Sequence, residues 1–120
     1  MDFIEVDQLR LRCIIGFSEH ERKDKQDVVI SLRIGTNMQR AGETDNPDDG
    51  FNYRTVTKAI IKHVEESQYL LVEKLAAEIA KICVKQYSAP YVQVRVHKPG
   101  ALRFSDSVGV VIERRPEDYA

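Results

Sequence analysis

Residues 91–114, YVQVRVHKPGALRFSDSVGVVIER, decide how the 120-residue chain is read. Val92, Val94 and Val96 alternate with Gln93, Arg95 and His97. That period of two places one set on each face of a sheet and predicts a strand over 91–97 with the valines inward. Lys98-Pro99-Gly100 breaks the run, because proline lacks a ladder N–H and glycine favours turns. An apolar strand resumes over 107–114. A similar strand pair opens the chain. In residues 2–15, Leu9, Leu11 and Cys13 alternate with Arg10 and Arg12, and Gly16 ends the run. In residues 27–38, Val28, Ile30, Leu32 and Ile34 point one way, Ser31 and Arg33 the other. The charged stretch FSEHERKDKQ, 17–26, joins the two as a loop.

Between the strand pairs the period changes. AGETDNPDDG, 41–50, carries Asn-Pro and Asp-Gly and reads as a long turn-rich loop. Residues 53–66 then read as a helix, with Val56, Ala59, Ile60, His63 and Val64 on one stripe and Asn52 as its cap. His63 on that stripe reads as a core histidine. A break near Ser67–Tyr69 precedes a second helix over 71–87. Its inner face is Leu71, Val72, Leu75, Ala76, Ile79 and Cys83; Glu73, Lys74, Glu78, Lys81 and Lys85 lie outside, and Ala89-Pro90 stops it. The order is ββααββ, an α+β layout with two helices on one face of a four-stranded antiparallel sheet. Such a sheet has open edges, and open edges invite pairing with another copy of the chain.

Composition narrows the function classes. The chain is 42% hydrophobic, which is too apolar for a disordered tail. Eighteen basic residues against 19 acidic ones leave a net charge of −1, without the basic excess of a nucleic-acid module. No apolar run reaches the length of a membrane span. Met-Asp-Phe-Ile-Glu does not resemble a signal peptide, so a cytoplasmic location is expected. Cys13 and Cys83 stand alone and read as reduced, buried thiols. His20, His63 and His97 lack zinc-site spacing, so no metal is expected. One domain, residues 1–120, fits the length.

A few polar residues are candidates for chemistry. Glu21 lies in the charged loop, where a solvated carboxylate is the ordinary reading. Glu73 opens the second helix, where the helix dipole alone favours a carboxylate. Lys98 shares the parity of the inward valines, which is unusual for lysine unless its chain snorkels to water. Tyr53 follows the long loop, and packing is the ordinary role of an aromatic there. His97 has the opposite parity and is expected to face solvent. No Gly-rich phosphate loop or nucleophile elbow is present.

Together these segments resemble the dihydroneopterin aldolase family. The resemblance runs over about residues 3–114. It rests on IGFSEHE, on FNY after a polar loop, on the LVEKLAAEIA helix and on HKPGALRFSDSVGVVIER. NYRTVTK, HVE, EKL and ALRFSDSV resemble its dihydroneopterin triphosphate 2′-epimerase branch, while KPGA is more like the aldolases. The resemblance implies the tunnelling fold. In that fold subunits join their sheets into a barrel ring, two rings commonly stack as a homo-octamer, and active sites lie between neighbouring subunits. It implies a small-molecule pterin substrate and no cofactor.

The resemblance also assigns roles. Glu73 anchors the pterin, whose amino group and ring N–H can both donate to one carboxylate. Groups near Val72 and Phe51–Asn52 complete that clamp. Tyr53, from the adjacent subunit, lies beside the pterin. Glu21 orients the trihydroxypropyl chain, and Lys98 is the general acid–base. A free lysine has a pKa near 10.4, so such a base calls for burial or a nearby cation. Arg103 is a candidate phosphate contact, with Arg22, Lys23 and Arg54 behind it; ordinary surface charge is the competing reading. The implied activity is C2′ epimerisation of the triphosphate by retro-aldol cleavage and re-addition. A dedicated aldolase of folate synthesis is the alternative, and a pterin-binding scaffold without turnover is a third.

Overall fold

A computed structural model describes all of residues 1–120. Four strands form one antiparallel sheet in the order β1-β2-β3-β4: β1 is Asp2–Cys13, β2 Gln26–Thr36, β3 Tyr91–Pro99 and β4 Ser107–Arg114. Helices α2 (Tyr53–Glu66) and α3 (Val72–Lys81) cover one face, α2 over β1 and α3 over β3 and β4. The α+β reading therefore holds. β1 and β4 each pair on one side only.

The core lies between sheet and helices. Val28, Ile30, Leu32 and Ile34 of β2 and Val92, Val94 and Val96 of β3 are buried there, as their parity predicts. Val56, Ile60 and Val64 of α2 and Leu75, Ala76 and Ile79 of α3 close over them. Each fully buried Val, Leu or Ile contributes about 1.5–3 kcal/mol relative to exposure. Asn52 caps α2, its side-chain oxygen accepting from the Thr55 N–H at 3.2 Å.

Four details depart from the sequence reading. First, β1 carries a bulge. Val6 pairs with Leu32 and Leu9 with Ile30, so Asp7 and Gln8 together oppose Ser31. Gln8 takes φ 53°, and its N–H donates to the Ser31 hydroxyl at 3.0 Å. A bulge shifts parity by one. Ile4 and Val6 therefore reach the core face alongside Leu9, Leu11 and Cys13. Second, the turn-rich loop holds a short helix, α1, Gln39–Thr44, with no buried residue. Third, α3 widens after Lys81 into a π-helical turn, Ile82–Gln86, that buries Cys83 and Val84, rather than continuing as one α-helix to residue 87. Fourth, Leu71 is exposed and stands as the N-cap residue of α3.

Candidate active site

Lys98 and Glu21 meet, although 77 residues separate them. Lys98 follows Val96 at the same parity on β3 and stays on the helix side of the sheet, where it is only 9% exposed. Its Nζ donates to Glu21 Oε2 at 2.6 Å. The neighbour expected from the sequence was burial or a cation; burial is present, and the charged neighbour is a carboxylate.

The loop between β1 and β2 is built to present that carboxylate. Ser18 and Glu21 form a reciprocal turn: the Glu21 N–H donates to Ser18 Oγ at 3.2 Å, and the Ser18 N–H donates to Glu21 Oε1 at 3.3 Å. This is the geometry of a capping box outside a regular helix. Gln26 Nε2 donates to Glu21 Oε2 at 3.3 Å and to the Ile15 carbonyl at 2.5 Å. Gly16 has φ 115°, and a Cβ there would collide with the Glu21 carboxylate. Gly16→Ala is therefore expected to displace Glu21 and to strain the backbone by about 1–3 kcal/mol. Thermal denaturation together with turnover would check it, with turnover falling more than the small loss of stability accounts for.

The Lys98 ammonium pulls the Glu21 carboxyl down from 4.5 to about 2; burial, the next-largest effect, opposes it, and the Ser18 and Gln26 hydrogen bonds add to the lowering. A depressed carboxyl stabilises the fold above its unfolded pKa and loses that contribution as pH falls through the folded value. Here the window runs from about 4.5 down to about 2. Wild type is expected to exceed Glu21→Gln in stability near neutral pH, and the gap should close across that window. Denaturant titrations of both proteins in acid buffers would measure it; a pH-independent gap would mean the ion pair contributes nothing.

Arg22 extends the same loop to α3. Its Nη1 donates to the carbonyls of Gly16 at 2.9 Å and Tyr69 at 3.2 Å, and its Nη2 to that of Gln68 at 2.8 Å. The Gly16 N–H also donates to the Tyr69 carbonyl at 3.2 Å. The guanidinium read as a candidate phosphate contact is thus occupied by backbone oxygens. Val72 is half-buried as the first residue of α3, and Glu73 follows it, exposed and in no ion pair or side-chain hydrogen bond. Leu71 offers no capping side chain, so the first-turn N–H groups beside Glu73 have no such partner.

Tyr53 lies elsewhere. It is 50% exposed in a cleft of about 630 Å³ with Ile4, Val6, Arg54, Thr57 and Lys58. That cleft is level with Leu32 and Ile34, whereas Lys98 is level with the far end of β2. The offset is about four residues, or roughly 13 Å at 3.3 Å per residue, with two strand spacings across. Within one chain, then, Lys98 and Glu21 touch, the Arg22 contacts tie their loop to the segment leading to Val72 and Glu73, and Tyr53 with Phe51 and Asn52 stands apart. Arg103 is exposed in the β3–β4 loop, with its guanidinium 5.0 Å from the Phe104 ring centroid.

Two histidines differ from their expected settings. His63 is half-buried at the margin of the core, and its Nε2 lies 2.8 Å from the Tyr69 hydroxyl. His97 is half-buried on the helix-free face, its Nδ1 2.7 Å from the Ser107 hydroxyl. Burial, then Arg95, lowers its pKa. Both cysteines are free and buried; burial raises the Cys13 thiol and pushes Cys83 up to about 12, which disfavours thiolate chemistry. No three His, Cys, Asp or Glu side chains converge as a metal site would require, and no helix is long and apolar enough to cross a membrane.

Sequence reasoning missed Gly16, Ser18, Gln26 and the contacts of Arg22. The Ser-x-x-Glu spacing was a usable signal for Ser18; Gln26 and Arg22 carried none, because the Glu21 carboxylate and backbone carbonyls they meet are brought close only by folding.

Residues 4–113 match the family model described as FolB: dihydroneopterin aldolase. The chain is 43% identical over 109 residues to a dihydroneopterin triphosphate 2′-epimerase of Pseudomonas aeruginosa, covering 91% of this chain and 89% of that protein. It is 38% identical to the Escherichia coli protein of the same name, covering 91% of each. Among solved structures, Escherichia coli dihydroneopterin aldolase in complex with neopterin superposes with a TM-score of 0.91 at 30% identity, covering 95% of this chain and 99% of that one.

Proposed function

The chain belongs to the dihydroneopterin aldolase family, and from that premise we propose that it epimerises 7,8-dihydroneopterin triphosphate at C2′. The observation that carries the chemistry is the Lys98–Glu21 pair, at 2.6 Å on the buried side of a strand end. The names of the two epimerases at 43% and 38% identity support this substrate over the unphosphorylated one.

The reaction needs an electron sink, and the dihydropterin contains one. Removing the proton of the 2′-hydroxyl lets its O–H electron pair form the aldehyde C=O. The C1′–C2′ bond breaks, and its electron pair moves through C1′=C6 onto N5. Lys98 takes up and returns the hydroxyl proton through a water. Substrate hydroxyls replace Glu21 as the partner of Lys98, and Glu21 accepts hydrogen bonds from the chain it orients. Tyr53 assists proton transfer at the enamine-like C1′. Glu73 accepts from the pterin amino group and ring N–H, with Val72, Phe51 and Asn52 completing the clamp. Arg103 reaches for the triphosphate.

Turning the aldehyde and re-forming the C1′–C2′ bond on its other face gives the dihydromonapterin epimer. Holding the fragment keeps its effective concentration high, so re-addition competes with escape. The separation of Tyr53 from Lys98 within one chain, and the unpaired edges of β1 and β4, support a site completed by a neighbouring copy in a barrel ring, stacked as an octamer. The single domain acts in the cytoplasm without a cofactor.

Incubating the protein with dihydroneopterin and with its triphosphate, then separating the oxidised pterins, tests the reading. Monapterin phosphate from the triphosphate is expected. The KPGA segment and the superposition on the aldolase favour one alternative, release of glycolaldehyde and 6-hydroxymethyl-7,8-dihydropterin. That product arising mainly from the unphosphorylated compound would establish it instead.

A further inference from the structure

We propose that Arg22 is a positioning residue that sets how often the cleaved aldehyde re-adds rather than escapes. The inference rests on the retro-aldol reading above and deepens it. Arg22 follows Glu21 directly, in a turn-rich loop outside any helix or strand. It is half-buried and forms no ion pair among the chain's carboxylates; its donors go to three backbone carbonyls instead. One of those carbonyls, that of Gly16, belongs to the start of its own loop, where the backbone takes φ 115°. The other two, those of Gln68 and Tyr69, lie four and three residues before Val72, in the segment that enters α3 and leads to Glu73. The receiving segment is itself held, because the Tyr69 hydroxyl meets His63 of α2 at 2.8 Å and the Ser67 hydroxyl donates to the Val64 carbonyl at 2.6 Å.

The guanidinium therefore fixes the span between two ends of the site. At one end Glu21 and Lys98 hold the hydroxylated fragment; at the other Glu73 holds the pterin. After cleavage the aldehyde carbon and C1′ belong to separate molecules, and only this span keeps them adjacent. Losing the fork hydrogen bonds leaves Lys98, Glu21 and Glu73 chemically intact but lets the loop move away from α3. Cleavage then still occurs, while escape of the fragment gains on re-addition. Arg22→Lys can satisfy at most part of the fork, since a single ammonium lacks the planar pair of Nη groups.

The experiment measures the ratio of epimer to 6-hydroxymethyl-dihydropterin formed from dihydroneopterin triphosphate by wild type, Arg22→Met and Arg22→Lys, with thermal melts alongside. In Arg22→Met the ratio should fall by about tenfold, with Arg22→Lys between it and wild type. A ratio is unmoved by loss of folded protein, so it separates positioning from simple destabilisation. Should both products fall together at a constant ratio, Arg22 is merely structural and the proposal is overturned. If Arg22→Met does not fold, Arg22→Lys decides on the same criterion. Wild type yielding neither product would instead overturn the retro-aldol reading and this inference with it.

Discussion

Lys98→Ala is expected to lower turnover by about two to four orders of magnitude, the usual contribution of a positioned general acid–base. Pterin affinity should change little, because in the proposed mechanism the lysine meets the hydroxylated side chain and not the ring. The fold should survive. Glu21 keeps Gln26 and the Ser18 N–H as donors, and its side chain is 23% exposed, so water reaches the oxygen that Lys98 leaves. Single-turnover rates and calorimetry with neopterin would separate the two effects. Turnover within a few-fold of wild type would remove Lys98 from the chemistry, whatever happened to stability.

Glu73→Ala carries the second large effect, in the opposite quantity. Pterin affinity should fall by about 2–3 kcal/mol, since in the proposed clamp two pterin donors lose a charged acceptor. That is roughly a 30- to 150-fold weaker Kd. The folded protein gives Glu73 no ion pair or side-chain hydrogen bond to lose. Its stabilising effect is confined to the N-terminal charge of α3, about 0.3–1 kcal/mol. A carboxylate that matters so little to the fold and so much to the ligand would be recognised by near-constant denaturation midpoints beside a collapsed affinity. Unchanged calorimetric affinity would place the pterin elsewhere.

The sequence was most informative where a residue's surroundings repeat at a fixed period. β2 and β3 run through the middle of the sheet, so Val28 to Ile34 and Val92 to Val96 announce their face by alternation alone. Lys98 could be singled out for the same reason: it breaks the polarity of a series without breaking its parity. Its partner could not be found that way. Glu21 reaches Lys98 only through the register of β2 against β3 and the turn that Gly16 and Ser18 impose. α1 was hidden because six residues with no buried side chain carry no amphipathic signal. The bulge in β1 was hidden because it is a relation between two strands: Asp7 and Gln8 make two residues only when counted against Ser31.

That bulge makes β1 two half-strands in different frames. Ahead of it, even-numbered side chains look toward the helices, Ile4 and Val6 under Tyr53; beyond it, odd-numbered ones do, Leu9 to Cys13 leading to the Glu21 loop. Removing one residue at Gln8 would merge the frames. Asp7 alone would then oppose Ser31, and Ile4, Val6, Leu9 and Leu11 would all keep facing the helices in one uninterrupted alternation. A single deletion there would thus cost the Gln8–Ser31 contact and the local bend, not the facing of either half, so the extra residue serves to re-aim the strand between the cleft at one end and the ion-pair loop at the other.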